Sequence, residues 1–165
     1  MKRLIVLSGV PGSGKSYFSD ALKAKSSSDV RIISSDALRK EIAGNQQDLT
    51  KDKEVWEKYY KLGKEYSKEK DVIVIMDATH AKKVFRLNNI RPYRNLYDTV
   101  DLVCFKLNKS IVLKQNRERE FPIPEDALLR LIDEYELPDD EEREFYDHVD
   151  IIVNHDTAKI LDRYL

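Results

Sequence analysis

The residues with the clearest chemical potential lie near the N-terminus, where an apolar run ends in a glycine-rich turn followed by Lys15 and Ser16. The spacing Gly9-x-x-x-x-Gly14-Lys15-Ser16 is that of a phosphate-binding loop. In such a loop, backbone N–H groups turn towards an anion, the lysine reaches the β- and γ-phosphates, and the serine hydroxyl binds Mg²⁺. The sequence therefore predicts a nucleotide site formed by Gly9, Val10, Pro11, Gly12, Ser13, Gly14, Lys15 and Ser16.

A glycine-rich turn without a ligand is the alternative, but the motif follows a predicted strand, as the chemistry requires. The rest of the chain alternates apolar runs with helical patterns. Strands are expected over 3–8, 30–33, 72–76, 99–107 and 149–153. Helices are expected over 15–25, 37–43, 51–69, 82–96, 110–116, 124–136 and 157–165, with Pro92 ending or kinking the fourth of them. The acidic residues at 139–144 are expected to form a solvated loop.

This alternation predicts an α/β fold of the P-loop NTPase type, with three layers (α/β/α) and a parallel sheet of about five strands. We expect one domain over residues 1–165, with a small arginine-bearing lid at about 115–124. In such sheets, ligands gather at the carboxyl ends of the strands. That rule selects the polar residues that directly follow the apolar runs.

Two carboxylates satisfy this rule. Asp36 follows the second strand and is a candidate general base for a hydroxyl acceptor in phosphoryl transfer. Its alternative role is a helix N-cap, which Ser34 or Ser35 can fill instead. Asp77 ends the third strand and resembles a Walker B carboxylate, which orients Mg²⁺ or binds Ser16; its alternative role is a capping or turn residue.

Four further side chains are candidates for substrate contacts. Arg39 lies on the same helical face as the candidate base and is placed to hold an acceptor phosphate. Thr79 follows the third strand and is expected to touch substrate. Arg117 and Arg119 precede the proline-rich break at 121–124, so they suit a lid over the phosphates, although an ordinary charged surface explains them equally well.

Composition narrows the functional classes. The net charge is −1, but residues 81–119 hold ten Lys+Arg against three Asp+Glu, and residues 120–150 hold two against thirteen. This distribution predicts a localised anion site and not a nucleic-acid coat. A single cysteine, Cys104, excludes an internal disulfide framework and fits a reducing cytosol. No segment approaches the roughly 20 apolar residues of a membrane span, so we expect a cytoplasmic protein without membrane contact.

Together these motifs resemble the P-loop kinase family that contains the kinase domain of phage polynucleotide 5′-hydroxyl kinase and the bacterial end-healing enzymes. The resemblance extends over residues 1–154 and is based on segments 9–16, 35–39, 74–79, 116–119 and 123–138. It implies ATP and Mg²⁺ as cofactors, and the 5′-hydroxyl end of a nucleic acid as the acceptor.

The same resemblance implies roles for individual residues. The aspartate matched by Asp36 is the general base, the arginine matched by Arg39 contacts the acceptor's 3′-phosphate, and the lid arginine matched by Arg119 holds the ATP phosphates. The chain departs from the family at Ala78, where some relatives have threonine, and in the acidic residues that flank Arg119. These 165 residues contain no counterpart of the phosphatase or ligase domain of the best-known members, so we expect a free-standing kinase.

Other activities remain open because the same scaffold serves kinases of nucleosides, sugars and metabolites. The acidic segment 120–150 favours a small acceptor, since it would repel a long polyanion. The basic helix 82–94 favours a nucleic-acid strand, unless it is simply a solvated face. A nucleotide-hydrolysing switch is a third possibility, which is disfavoured because no glutamine is clearly placed to position an attacking water.

Overall fold

The computed structural model describes residues 1–165, and its centre is one sheet of five strands. The strands are β1 (Lys2–Ser8), β2 (Val30–Ser34), β3 (Val72–Asp77), β4 (Thr99–Phe105) and β5 (His148–Ile152). They lie in the order β2-β3-β1-β4-β5, and all four pairings are parallel. This arrangement confirms the predicted α/β class and the number of strands.

Eight α-helices connect and flank these strands. They are α1 (Lys15–Lys25), α2 (Ser35–Ala43), α3 (Asp52–Tyr66), α4 (Lys83–Ile90), α5 (Lys109–Arg117), α6 (Glu125–Glu134), α7 (Asp140–Arg143) and α8 (Ala158–Asp162). The helix predicted over 82–96 ends at Ile90 and continues as a 3₁₀ turn over Arg91–Tyr93, because Pro92 cannot donate an α-helical hydrogen bond. No helix is both long and apolar enough to cross a membrane.

The two faces of the sheet bury separate apolar clusters, which makes the fold three-layered. In β1, Leu4 and Val6 face a cluster that includes Tyr59 of α3, whereas Ile5 and Leu7 face the opposite side. On that second side, the strands pack against α1 and α8. Burial on both faces explains why the central strands are apolar at successive positions.

The loop predicted at 139–144 is wrong, because residues 140–143 form α7, although all of the segment except Glu142 is exposed as expected. Asp139 caps this helix by accepting a hydrogen bond from the Glu142 backbone N–H at 2.8 Å. Glu142 is fully buried against Arg86 of α4, which is also fully buried. Arg86 therefore belongs neither to a solvated face nor to a surface that could follow a nucleic-acid strand.

Ion pairs between the basic and acidic segments account for part of their opposite charges. Besides Arg86 and Glu142, Lys83 pairs with Asp139 at 2.7 Å and Arg94 pairs with Asp147 at 2.6 Å. These pairs neutralise part of the charge of both segments within the fold. The uneven charge along the sequence indicates this internal pairing, in addition to any anion site.

Candidate active site

A cleft of about 500 Å³ opens at the carboxyl ends of β1, β2 and β3. The strand order brings these ends side by side, since Asp77 is in register with both Leu7 of β1 and Ser34 of β2. The cleft is lined by residues from the phosphate-binding loop and the start of α1, from the start of α2 and from the end of β3, together with Gln46, Arg119 and Ile123. A cleft therefore lies where the strand-end rule predicts a ligand site.

The phosphate-binding loop has the backbone that its glycines permit. Gly12 and Gly14 have φ angles of 82° and 97°, which side chains other than glycine rarely adopt. No side chain caps the N-terminus of α1, so its first backbone N–H groups are free to bind an anion. The hydroxyl of Ser13 is buried in the loop without a hydrogen-bond partner.

Lys15 folds back onto the loop from which it projects. Its ammonium donates to the carbonyl oxygens of Gly9 at 2.7 Å and Val10 at 3.1 Å. Burial lowers the pKa of Lys15, while the nearby carboxylates of Asp77 and Asp36 oppose that shift. The ammonium is thus held at the cleft by carbonyls, which are weaker partners than phosphate oxygens.

Asp77 and Ser16 form the predicted pair at the floor of the cleft. Asp77 is buried at the end of β3 and accepts a long hydrogen bond from the Ser16 hydroxyl, at 3.4 Å. Burial raises the pKa of Asp77, and the Lys15 ammonium opposes that shift. No cluster of three or more His, Cys, Asp or Glu residues could hold a metal here. A cation at this pair would therefore depend on oxygens from phosphate and water.

Asp36 lies on the cleft, and it does not cap α2. The Ser34 hydroxyl fills that position by accepting from the Ala37 backbone N–H at 3.2 Å. The Asp36 carboxylate is half-exposed, 3.7 Å from Arg119 and 3.1 Å from Arg39. Its side chain is therefore available for chemistry.

Arg39 is buried beside the cleft and does not line it. Its guanidinium donates to both carboxylate oxygens of Asp52, at 2.8 and 3.3 Å, and to the Gln46 carbonyl at 3.4 Å. Only 8% of the residue is exposed. In this arrangement, Arg39 orients Asp36 and ties α2 to α3.

The segment between α5 and α6 covers one side of the cleft. Asn116 fixes its ends through two hydrogen bonds with the backbone of Ile123, at 2.8 and 2.9 Å. Arg119 points into the cleft, and its Nη1 atom is buried without a partner. Arg117 points away and pairs with Glu125 at 2.6 Å. Of the two predicted lid arginines, only Arg119 faces the site.

The loop after β3 joins the cleft to the protein interior. Thr79 lines the cleft, and its carbonyl accepts from the Gly9 backbone N–H at 2.9 Å. His80 follows with a φ of 43° and turns inward, where its ring contacts Tyr59 and the Leu7 carbonyl. Burial lowers the pKa of His80 to about 4, partly offset by the bond to the Leu7 carbonyl. His80 is therefore a structural histidine.

Nine predicted residues meet at the cleft: Pro11, Gly12, Gly14, Lys15, Ser16, Asp36, Asp77, Thr79 and Arg119. Sequence reasoning missed Tyr17, Lys40 and Gln46, which also line it. Lys40 lies one helical turn after Asp36, a spacing that could have revealed it. Gln46 comes from an irregular connection without a pattern, and the sequence alone gave no reason to place a glutamine at this cleft.

Three solved structures illustrate which proteins share this fold. Chaetomium thermophilum Kti12 in complex with ADP-AlF3 has a TM-score of 0.73 and 19% identity, covering 97% of this chain and 96% of that chain. A gluconokinase from Sinorhizobium meliloti 1021 has a TM-score of 0.62 and 22% identity, covering 99% and 90%. A Pnkp1/Rnl/Hen1 complex has a TM-score of 0.57 and 17% identity, covering 78% and 38%.

These similarities confirm a P-loop kinase-like fold, and they do not single out the polynucleotide 5′-hydroxyl kinases. The family is shown by a comparison of the sequence with models of protein families. A family model described as chromatin associated protein KTI12 matches residues 2–163. Because this match extends over almost the whole chain, the protein belongs to the KTI12 family.

Proposed function

We propose that this protein binds ATP with Mg²⁺ at the phosphate-binding loop and transfers the γ-phosphoryl group to a hydroxyl acceptor. The observation that carries the proposal is the Asp36 carboxylate, which faces the cleft beside Arg119 while Ser34 caps the helix. A carboxylate free of capping, at a cleft formed by a phosphate-binding loop, suits a general base.

The part of the cleft formed by the phosphate-binding loop suits a nucleoside triphosphate as phosphoryl donor. The uncapped N-terminus of α1 and the unpartnered hydroxyl of Ser13 lie in the loop, and the unpartnered Nη1 of Arg119 lies opposite. These groups are donors without acceptors, as a phosphate site requires. The ADP-AlF3 in the Kti12 structure supports a nucleotide at the corresponding loop. Ser16 and Asp77 would hold Mg²⁺, which needs only one or two protein ligands when phosphates supply others.

In this mechanism, Lys15 exchanges its two carbonyl partners for the oxygens of the transferred phosphoryl group. Arg119 moves from Asp36 to the same group, which leaves the carboxylate free to accept the proton of the acceptor hydroxyl. Both cations then stabilise the transition state, in which the acceptor oxygen bonds to the γ-phosphorus while the bond from that phosphorus to ADP breaks and ADP leaves. Mg²⁺, when bound, neutralises the β- and γ-phosphates.

For the acceptor, we propose the 5′-hydroxyl of a polynucleotide. Beyond Asp36 the cleft is lined by Lys40, which suits a backbone phosphate, and by the exposed ring of Tyr17, which suits a base. One observation favours a small acceptor instead: Arg39, the predicted phosphate contact, is buried and already paired with Asp52. A nucleoside, sugar or metabolite is therefore the alternative acceptor.

Nucleotide hydrolysis is the second candidate function, because Gln46 lines the cleft. A glutamine near the transferred phosphoryl group can orient an attacking water. In hydrolysis the attacking water gives up a proton, as an acceptor hydroxyl does, so Asp36 could serve as the base in either reaction. The two functions therefore differ in whether turnover requires an added acceptor.

The test is an acceptor screen with γ-labelled ATP and Mg²⁺. The purified protein is incubated with a 5′-hydroxyl oligonucleotide, with nucleosides, with sugars, and without acceptor. We expect label on the oligonucleotide. Label on a nucleoside or sugar would identify the small-molecule alternative, and release of phosphate without any acceptor would identify hydrolysis.

Asp36→Asn tests the proposed base. We expect transfer to fall by roughly 10²–10⁴-fold while ATP binding persists, because the amide cannot accept the proton. Glu41→Gln is the matched control, since Glu41 is an exposed carboxylate of the same helix that pairs with Lys58 outside the cleft. Full transfer by Asp36→Asn would exclude the general-base role.

A further inference from the structure

Outside the cleft, the most unusual arrangement is a buried polar cluster of Arg86, Glu142, Tyr146 and the carbonyl of His80. Arg86 and Glu142 are both completely buried, although they lie 56 residues apart. The guanidinium donates to both carboxylate oxygens at 2.7 Å, and the Tyr146 hydroxyl donates to the carboxylate at 2.9 Å. This pairing buries a charged side chain of α4 in the interior.

A third hydrogen bond of Arg86 links this cluster to the nucleotide site. Its Nη1 atom donates to the His80 carbonyl at 2.9 Å. The same carbonyl accepts from the Ser8 hydroxyl at 2.8 Å, and Ser8 immediately precedes the first glycine of the phosphate-binding loop. Tyr135, which directly follows α6, donates a hydrogen bond to the Ser8 carbonyl at 3.1 Å. The cluster is therefore connected to the start of the loop by two hydrogen bonds in series.

A second connection runs along the backbone. The carbonyl of Thr79, the neighbour of His80, accepts a hydrogen bond from the backbone N–H of Gly9. His80 has a φ of 43°, which costs a non-glycine residue free energy and persists only when its surroundings hold it. Arg86 is the one charged side chain that donates a hydrogen bond to its carbonyl. This donor is therefore one of the interactions that hold the bend at His80 and, beside it, the Thr79 carbonyl to which Gly9 donates.

Stability alone does not explain the cluster. Two buried charges lose their hydration, and apolar residues of similar volume often replace such a pair without loss of stability. The arrangement is better explained by what the guanidinium holds in place. We propose that Arg86, oriented by Glu142 and Tyr146, is a positioning residue that fixes the 79–80 bend and, through it, Ser8 and Gly9 of the nucleotide site. The link to nucleotide binding rests on the function proposed above.

The test replaces the cluster by apolar groups in the full chain. In Arg86→Met/Glu142→Leu/Tyr146→Phe, no buried charge is left unpaired, so we expect melting to stay close to that of the wild type. We expect the Gly9 amide hydrogen to exchange about tenfold faster, and MgATP to bind about tenfold more weakly, because the loop is no longer held. Arg94→Met is the matched control, since Arg94 also pairs with an acidic residue of the C-terminal region but does not contact His80.

Exchange and affinity both unchanged in a folded triple variant would overturn the proposal. Faster exchange with unchanged affinity would also overturn it, since the cluster would then be only structural.

If the triple variant does not fold, Arg86→Lys serves instead, because its ammonium keeps the charge opposite Glu142 and lacks the planar fork that also reaches His80. It should show the same two changes, and their absence would contradict the proposal. If wild-type protein binds no nucleotide, the proposed function fails, while amide exchange still decides whether the cluster holds Gly9.

Discussion

The cleft and the buried polar cluster contain the same kinds of charged side chains in opposite states. In the cleft, the Arg119–Asp36 distance is 3.7 Å and the Ser16–Asp77 distance is 3.4 Å, while Lys15 donates only to carbonyl oxygens. In the cluster, Arg86 and Glu142 form two hydrogen bonds of 2.7 Å and are completely buried. The cleft has hydrogen-bonding groups without strong partners, whereas most such groups in the cluster are already paired.

This difference separates groups available for a ligand from groups committed to the fold. Loose pairs can exchange partners when a phosphate arrives, because the hydrogen bonds that break are weak and the charge-assisted ones that form to phosphate oxygens are strong. A buried bidentate pair cannot exchange without exposing a charge to the interior. We therefore expect substitutions in the cleft to reduce turnover more than stability, and substitutions that leave one charge of the cluster unpaired to reduce stability as well.

The largest effect is expected from Lys15→Met. Turnover of ATP should fall by roughly 10³-fold or more, because no other side chain replaces the ammonium at the transferred phosphoryl group. The melting temperature should change little, since Lys15 is held only by two carbonyls and its burial is unfavourable. Turnover and thermal melting of the same preparation are compared with Lys23→Met, an exposed lysine of α1. Retained turnover would show that the loop lysine has no part in the chemistry.

The converse prediction concerns a single substitution in the cluster. Arg86→Met should lower the free energy of unfolding by about 3–5 kcal/mol, because it leaves the Glu142 carboxylate buried without its partner. Arg94→Met removes an ion pair that is partly exposed on both sides, and should cost no more than about 1 kcal/mol. Urea unfolding measures both. Equal losses in the two variants would mean that burial does not distinguish these pairs.

These two regions also mark what the sequence could predict. The phosphate-binding loop, Asp36 and Asp77 follow from local patterns, since a motif and the end of an apolar strand are each visible within a few residues. The parallel sheet follows from alternation of strands and helices. Such features need no knowledge of distant contacts, and the structure has them at the predicted positions.

The buried pair could not be predicted for the opposite reason. Glu142 lies among acidic residues and Arg86 among basic ones, so both segments look solvated when each is considered alone. Only the packing of α7 against α4 brings the two side chains together. The same limitation explains Arg39 and Arg117: their type and position suited phosphate contacts, but Asp52 and Glu125 bind them instead.

A third prediction concerns pH and the link between the regions, His80. Its pKa is about 4 in the folded protein and near 6.5 when unfolded. Above pH 6.5 neither state is protonated, and as the pH falls, the unfolded chain takes up a proton before the folded protein does. The free energy of unfolding should therefore decrease between pH 6.5 and pH 4, by up to roughly 3 kcal/mol from this group.

The variant His80→Asn removes this titration while keeping a residue that tolerates positive φ. Unfolding by urea at several pH values should then show a flatter profile between pH 6.5 and 4 than the wild type. His155→Asn, at an exposed histidine, should leave the slope of the wild type in place. An unchanged slope in His80→Asn would mean that other groups cause the acid sensitivity.

The smallest expected effect separates two neighbouring residues at the cleft. Ser34→Ala removes the N-cap of α2 and should lower the free energy of unfolding by about 1 kcal/mol. Asp36→Asn leaves the cap intact and should change stability by less than Ser34→Ala does, although we expect it to reduce transfer strongly. If Asp36→Asn were instead the more destabilising of the two in urea unfolding, the carboxylate would be committed to the fold like Glu142. The contrast between an open cleft and a committed cluster would then not hold at the residue on which the proposed chemistry depends.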